Sequence, residues 1–325
     1  MSTDRGVGQA RPVGAHEHPA DRRGRLLGIL LVNLATLTWA TNIALGRWMR
    51  HDLGPASLAA GRYVVSSMLL ALLLSRRPPE ARRLEPHLWL LAGMALTGVA
   101  LFAPALYLGL RYTTTVNATL INGFGPLITG LLAALLIHEP MSRRQVAGAI
   151  AGLAGIAILI SGGSAEAWQV ARVNPGDLII LLAVSLWSLY SVFGRHVMRT
   201  RGVLSATALS SFLGTVLLVL FAIVEVRSLP PDVTPQVVLL LVYIGIVPSV
   251  GGILAWNAGV QRLGASGAMV FYNTLPLYGA LIGFLLLDEP IGPAHLAGGI
   301  LIVGGGLWAA RASRPAAASQ TANSS

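Results

Sequence analysis

Asn122 and Asn273 each stand one helical turn or less before a proline, in NGFGP ending at Pro126 and in NTLP ending at Pro276, within otherwise apolar stretches. A proline removes a donor from the helical ladder and crowds the preceding turn, and Gly123 and Gly125 loosen the first stretch further. A carboxamide beside freed backbone carbonyls can donate to and accept from a small solute, so the chemistry on offer is recognition rather than bond-making. The competing reading is a packing kink whose asparagines bond neighbouring helices. Other residues point to the same kind of site. Trp39 and Asn42 lie three apart on one helix face, and Trp187 and Tyr190 repeat that spacing. Tyr107 corresponds to Asn257, which follows Trp256, and Tyr272 precedes Asn273. Together they suggest a cavity with aromatic walls and amide groups, suited to a moderately polar organic solute. For any single aromatic residue, ordinary helix packing or interfacial anchoring is the alternative.

Bond-making chemistry finds few candidates. The chain has no cysteine and no lysine, which removes thiolate metal sites, CxxC chemistry and any P-loop GK[ST]. HExxH and GxSxG are absent as well. His16, His18, His51, His87, His138, His196 and His295 fall in tails, loops or span ends, so neither a metal nor a cofactor is expected. Glu139, Asp288 and Glu289 also fall at span ends and read as topological and capping residues; no acid occupies mid-span to relay protons. Arg62 is the ionisable residue furthest inside a span. It reads either as a partner for a solute carboxylate or, preferred here, as a side chain that snorkels to the headgroups.

The elements that must hold these residues are membrane helices. The chain of 325 residues is 54% apolar and 11% charged, against roughly 25% charged in soluble domains. A bilayer core of about 30 Å takes about 20 helical residues, and hydropathy gives ten such runs. In the first half they fall near residues 26–45, 56–75, 88–110, 114–136 and 145–162. The second half has runs near 176–194, 204–225, 237–259, 266–287 and 293–311. A polar tail (1–25), a linker (163–175) and a small, polar, disordered tail (312–325) complete the chain. The net charge of +10 comes from arginines scattered through short loops, which argues against a nucleic-acid surface. With both termini cytoplasmic, 17 arginines fall on inner segments and 5 on outer loops, as positive-inside topology requires.

The halves repeat each other. From Pro126 to Pro140 and from Pro276 to Pro290, 7 of 15 positions are identical at an offset of 150, including Glu139 with Glu289. Trp39 and Gly46-Arg47 return as Trp187 and Gly194-Arg195. Five spans per half is an odd number, so the second half enters the membrane upside down. The expected fold is all-α integral membrane: ten transmembrane helices as two inverted five-helix repeats, 26–162 and 176–311. A GxxxG spacing at Gly148 and Gly152 reads as a homodimer seam or, preferred here, as packing within one chain.

Four motifs carry a resemblance to a known family. They are WATN at Trp39–Asn42, PASLAAGRY at Pro55–Tyr63, the paired Pro126–Pro140 and Pro276–Pro290 stretches, and GDLIILLAVSLWSLYSV at Gly176–Val192. With ten spans in two halves, the chain resembles the EamA family of the drug/metabolite transporter superfamily over roughly residues 26–311. That resemblance implies an exporter of amino acids, small metabolites or toxic organic compounds in a bacterial cytoplasmic membrane. It departs from the family pattern at His138, where such proteins often carry glycine. A membrane-embedded enzyme and a non-transporting scaffold are the alternatives.

Overall fold

Every regular element among residues 19–85, 87–163 and 174–310, the residues this computed structural model describes, is helical. The HEH pair at His16 and His18, most of the linker and the C-terminal tail lie outside those residues. The first half comprises α1 (Pro19–Trp48), α2 (Pro55–Ser75), α3 (Leu88–Ala95), a π-helical segment (Leu96–Leu101), α4 (Phe102–Tyr112), α5 (Thr115–Gly123), α6 (Gly125–Leu136) and α7 (Arg143–Ile160). The second comprises α8 (Pro175–Arg201), α9 (Val203–Glu225), α10 (Pro235–Ile246), a second π-helical segment (Val247–Gly251), α11 (Gly252–Leu263), α12 (Ala265–Tyr272), α13 (Thr274–Leu287) and α14 (Pro293–Ala310).

Local chemistry sets the helix ends. Pro55, Pro175 and Pro235 open α2, α8 and α10, where the missing N–H would have had no partner anyway. Ser142 and Gln145 form a capping box on α7, and the side chains of Thr114, Asn174 and Thr234 accept first-turn amides. Among the described residues, eight helices can cross a bilayer by length and composition, and α5 with α6, bent by 41°, makes a ninth. The remaining apolar helix, α14, is shorter. The break at Asn273, between α12 and α13, leaves one continuous span, Gly267–Leu287. Leu30, Met68 and Ile300 are 67%, 70% and 71% exposed. Large apolar side chains left this bare belong against lipid.

The glycine stripe is used within the chain. A Cβ on Gly148 would lie 2.5 Å from the carbonyl oxygen of Gly305, and one on Gly155 would lie 2.6 Å from that of Gly298. Gly152 abuts the ring of Phe124. The Gly148 and Gly155 contacts let the backbones of α7 and α14 touch, and helices gain van der Waals contact in lipid by such close approach.

His138 and Asp288, equivalent under the offset of 150, both have positive φ, 55° and 51°. The chain leaves α6 and α13 through this left-handed residue, and the N–H of the following Glu139 or Glu289 turns back onto the carbonyl of Ala133 or Gly283. Glycine favours that conformation, which gives the departure at His138 a physical cost. His138→Val is expected to lower stability by about 1 kcal/mol or more, with His138→Gly neutral or stabilising. Thermal unfolding in detergent checks both.

Candidate functional site

A cavity of about 350 Å³ opens between the two halves. Trp39 and Asn42 of α1 meet it from one side, and Trp187 and Tyr190 of α8 from the other. Asn122 and Pro126 at the α5–α6 break border it, as do Trp256, Asn257 and Tyr272. Nine of the twelve residues singled out from sequence therefore line one cavity. The other three sit behind it. Tyr107 is 2% exposed and donates to Asn42 Oδ1 at 2.9 Å. Asn273 gives its amide nitrogen to Met269 at 3.4 Å and keeps a buried, unpartnered Oδ1 near Gly306. Pro276 packs toward Gly123 of α5.

The aromatic residues form two groups. Trp39, Trp256 and Tyr272 cluster with ring centroids 5.5, 6.1 and 5.8 Å apart. Trp187 stacks on Tyr190 at 4.8 Å and meets Phe102 at 5.0 Å. Spacings of this kind fix rings against one another and leave faces for a solute. Between them lie carboxamides with acceptors to spare. Asn122 and Asn257 each donate Nδ2 to their own helix, to Ala118 at 2.8 Å and Ile253 at 2.7 Å, and no described residue donates to their Oδ1 atoms.

Two features went unseen in the sequence. The first is the pair of π-helical segments, whose positions match under the repeat offset. Such segments free backbone carbonyls at mid-helix. Here they are taken up by the wall: Trp39 Nε1 donates to Pro248 O at 3.1 Å, and Tyr63 Oη donates to Gly98 O at 3.3 Å. Residue 248 is the counterpart of residue 98. Pro248 was the available signal, since it deletes a donor within an apolar run. The second feature is Arg62. Instead of snorkelling to headgroups, it is 7% exposed and borders the cavity. Its Nε donates to Ser249 Oγ at 2.7 Å and one terminal nitrogen donates to Tyr107 Oη at 3.3 Å. Donors pointing inward toward a π-helical serine and a buried tyrosine hold the side chain away from the membrane surface.

Two ion pairs join the ends of equivalent helices. Arg47 at the end of α1 pairs with Glu289 after α13 at 3.0 Å, and Arg195 near the end of α8 pairs with Glu139 after α6. Arg195 and Glu139 are the repeat counterparts of Arg47 and Glu289. The environments differ. Glu289 is 5% exposed and also accepts the amides of Thr115 and Val116 at 2.8 and 3.1 Å, so its expected capping role is real. Arg50 sits beside this pair, and burial followed by the neighbouring charge of Arg47 lowers its pKa, against an opposing pull from Glu289. Arg195 and Glu139 are 34% and 51% exposed. The cavity reaches Arg195 and Met198 at that end, and Arg47 does not line it. No group of three histidine or acidic residues able to hold a metal occurs among the described residues.

Helices long and apolar enough to cross a bilayer, enclosing a solute-sized chamber with aromatic and amide walls, define a multi-pass membrane transporter. The chain belongs to the EamA-like transporter family, which it matches twice, over residues 26–161 and 174–310. It is 28% identical over 287 residues to the uncharacterized transporter YyaM of Bacillus subtilis (strain 168), covering 86% of this chain and 92% of that one. It is 27% identical over 279 residues to a "probable terminal-alkyne amino-acid exporter" of Streptantibioticus cattleyicolor, covering 84% and 89%. A protein of known crystal structure shares the fold with a TM-score of 0.59 at 24% identity, over 90% of this chain and 99% of that one.

Proposed function

We propose that the protein is a secondary transporter that exports amino acids, small metabolites or drug-like organic compounds, by alternating access around the chamber. The observation that carries this reading is a chamber lined by both halves together with two equivalent ion pairs, Arg47–Glu289 the more buried and Arg195–Glu139 the more exposed, of which Arg195 borders the chamber. Ten spans form two inverted repeats, 26–162 and 176–311, and both termini are cytoplasmic. Inversion is supported by reciprocal contacts: Gly148 meets the counterpart of Gly155, and Gly155 meets the counterpart of Gly148. A two-fold axis produces such exchange. The same axis relates the π-helical segments, and the left-handed residues His138 and Asp288 repeat at the same offset. With cytoplasmic termini, the end of α8 lies inside, so the chamber faces the cytoplasm and Arg47–Glu289 closes the outer end. The wall residues are the solute contacts, with Tyr107 and Asn273 supporting them from behind. The amino-acid class is supported by the name of the Streptantibioticus relative.

Flux of a labelled amino acid in proteoliposomes tests the reading. Trp39→Ala and Asn42→Ala are each expected to lower flux about tenfold, the worth of one buried aromatic contact or hydrogen bond. Leu239→Ala, on the lipid face at 68% exposure, should leave it unchanged. Normal flux in both chamber variants would reject the site.

A further inference from the structure

Arg62 carries a formal charge that no described residue neutralises. Its neighbours are the Ser249 hydroxyl, the Tyr107 hydroxyl and the ring of Tyr63, whose centroid lies 5.1 Å from the guanidinium carbon. All three are neutral, and no carboxylate among the described residues pairs with it. A buried guanidinium held only by dipoles and a ring face retains most of its desolvation cost, which an arriving anion would offset. The second terminal nitrogen makes no bond to a described residue, and the side chain borders the chamber.

Among the described residues the chamber wall contains no aspartate or glutamate. Its other charge, Arg195, is already paired with Glu139. The interior therefore has one uncompensated positive charge, which matches a monoanion; a phosphate monoester would leave negative charge unpaired. The planar fork of arginine suits a carboxylate, which can take two parallel hydrogen bonds. The surroundings specify what the carboxylate is attached to. Ser249 holds Arg62 Nε, and the preceding carbonyl, that of Pro248, holds the Trp39 indole. One turn of the π-helical segment thus ties the charge to the cluster of Trp39, Trp256 and Tyr272. We propose that Arg62 is the anchor of a carboxylate site in the chamber, and that the ligand is a small monocarboxylate with an apolar or aromatic body. Organic cations are excluded by the same charge. In a zwitterionic ligand the ammonium group meets ring faces and the free amide oxygens of Asn122 and Asn257.

As a statement about transported solutes, this rests on the transporter reading above; as a statement about binding, it is tested without transport. The full chain, purified in detergent, is titrated with benzoate, benzamide, benzylamine and inorganic phosphate, and binding is followed by calorimetry and by the shift in thermal midpoint. Benzoate is expected to bind at least about tenfold tighter than each of the others, the worth of one charge-assisted hydrogen bond. Arg62→Gln should abolish that preference. Arg62→Lys should keep a weakened one, because it retains the charge and loses the fork. Equal binding of benzoate and benzamide, tighter binding of benzylamine or phosphate, a preference that survives in Arg62→Gln, or no benzoate binding at millimolar concentration would each overturn the proposal. If Arg62→Gln does not fold, the comparison of probes on the unaltered chain and on Arg62→Lys still decides. A retained benzoate preference with no flux of any solute in proteoliposomes would reject transport and leave the site standing.

Discussion

Glu289→Ala is expected to lower the stability of the protein by about 3 kcal/mol or more, whereas Glu139→Ala should cost less than about 1 kcal/mol. The two glutamates are equivalent in sequence, so the difference tests environment alone. Glu289 is buried and its carboxylate meets three donors: Arg47 Nε and the amides of Thr115 and Val116. Removing it leaves Arg47 with the Leu110 carbonyl at 2.7 Å as its partner and strips the first-turn amides of α5 of their acceptor. Glu139 is half exposed and meets Arg195 alone. Solvent screens that pair, and its loss strands nothing. Melting curves of the two variants in one detergent measure the contrast. Similar losses would mean that burial does not distinguish the two ends.

The fold was legible wherever periodicity and repetition spoke. Hydropathy places the eight spans and the bent pair, while the tenth expected span, at α14, is a shorter apolar helix, and the break before Pro126 follows from a missing donor and two loosening glycines. Pairing of Trp39 with Asn42 and of Trp187 with Tyr190 on helix faces follows from a spacing of three. The π-helical segments were not legible, because inserting a residue into a helix changes its hydrogen bonding without changing its hydropathy. Arg62 was misjudged for a related reason. Position along a span gives depth, about 10 Å for seven residues at 1.5 Å each, but not the direction in which the side chain turns. That direction is set by Ser249, distant in sequence and itself inside a π-helical turn. The chamber meets the two helix breaks differently: Asn122 and Pro126 line it at the first, whereas at the second Tyr272 and Leu275 line it and Asn273 and Pro276 pack behind. A repeated sequence is nearly symmetric whereas the structure is not, so the sequence could nominate both asparagine–proline pairs without saying which one faces the chamber.

That asymmetry supports the prediction with the largest expected effect on activity. In the conformation described, Arg47–Glu289 is the more buried pair and Arg195–Glu139 the more exposed. If the alternate conformation exchanges these environments, Glu139→Gln weakens a pair buried only in that state. Losing a partner of a buried pair costs about 3 kcal/mol or more, and each 1.4 kcal/mol is about a factor of ten in population, so the alternate state should fall by about 100-fold. Flux in proteoliposomes is expected to drop at least about tenfold, with the melting temperature unchanged. The absence of natural cysteines makes the population itself measurable. Ser191 lines the chamber, and Ser191→Cys gives a single thiol to be labelled by a membrane-impermeant maleimide from either side. In the Glu139→Gln background, labelling from the cytoplasmic side should persist and labelling from the opposite side should disappear. Glu289→Gln weakens the pair buried in the present conformation and should shift labelling the other way. Wild-type flux and unchanged two-sided labelling in Glu139→Gln would mean that the ion pairs do not exchange roles, and that the chamber opens by some other movement of the two halves.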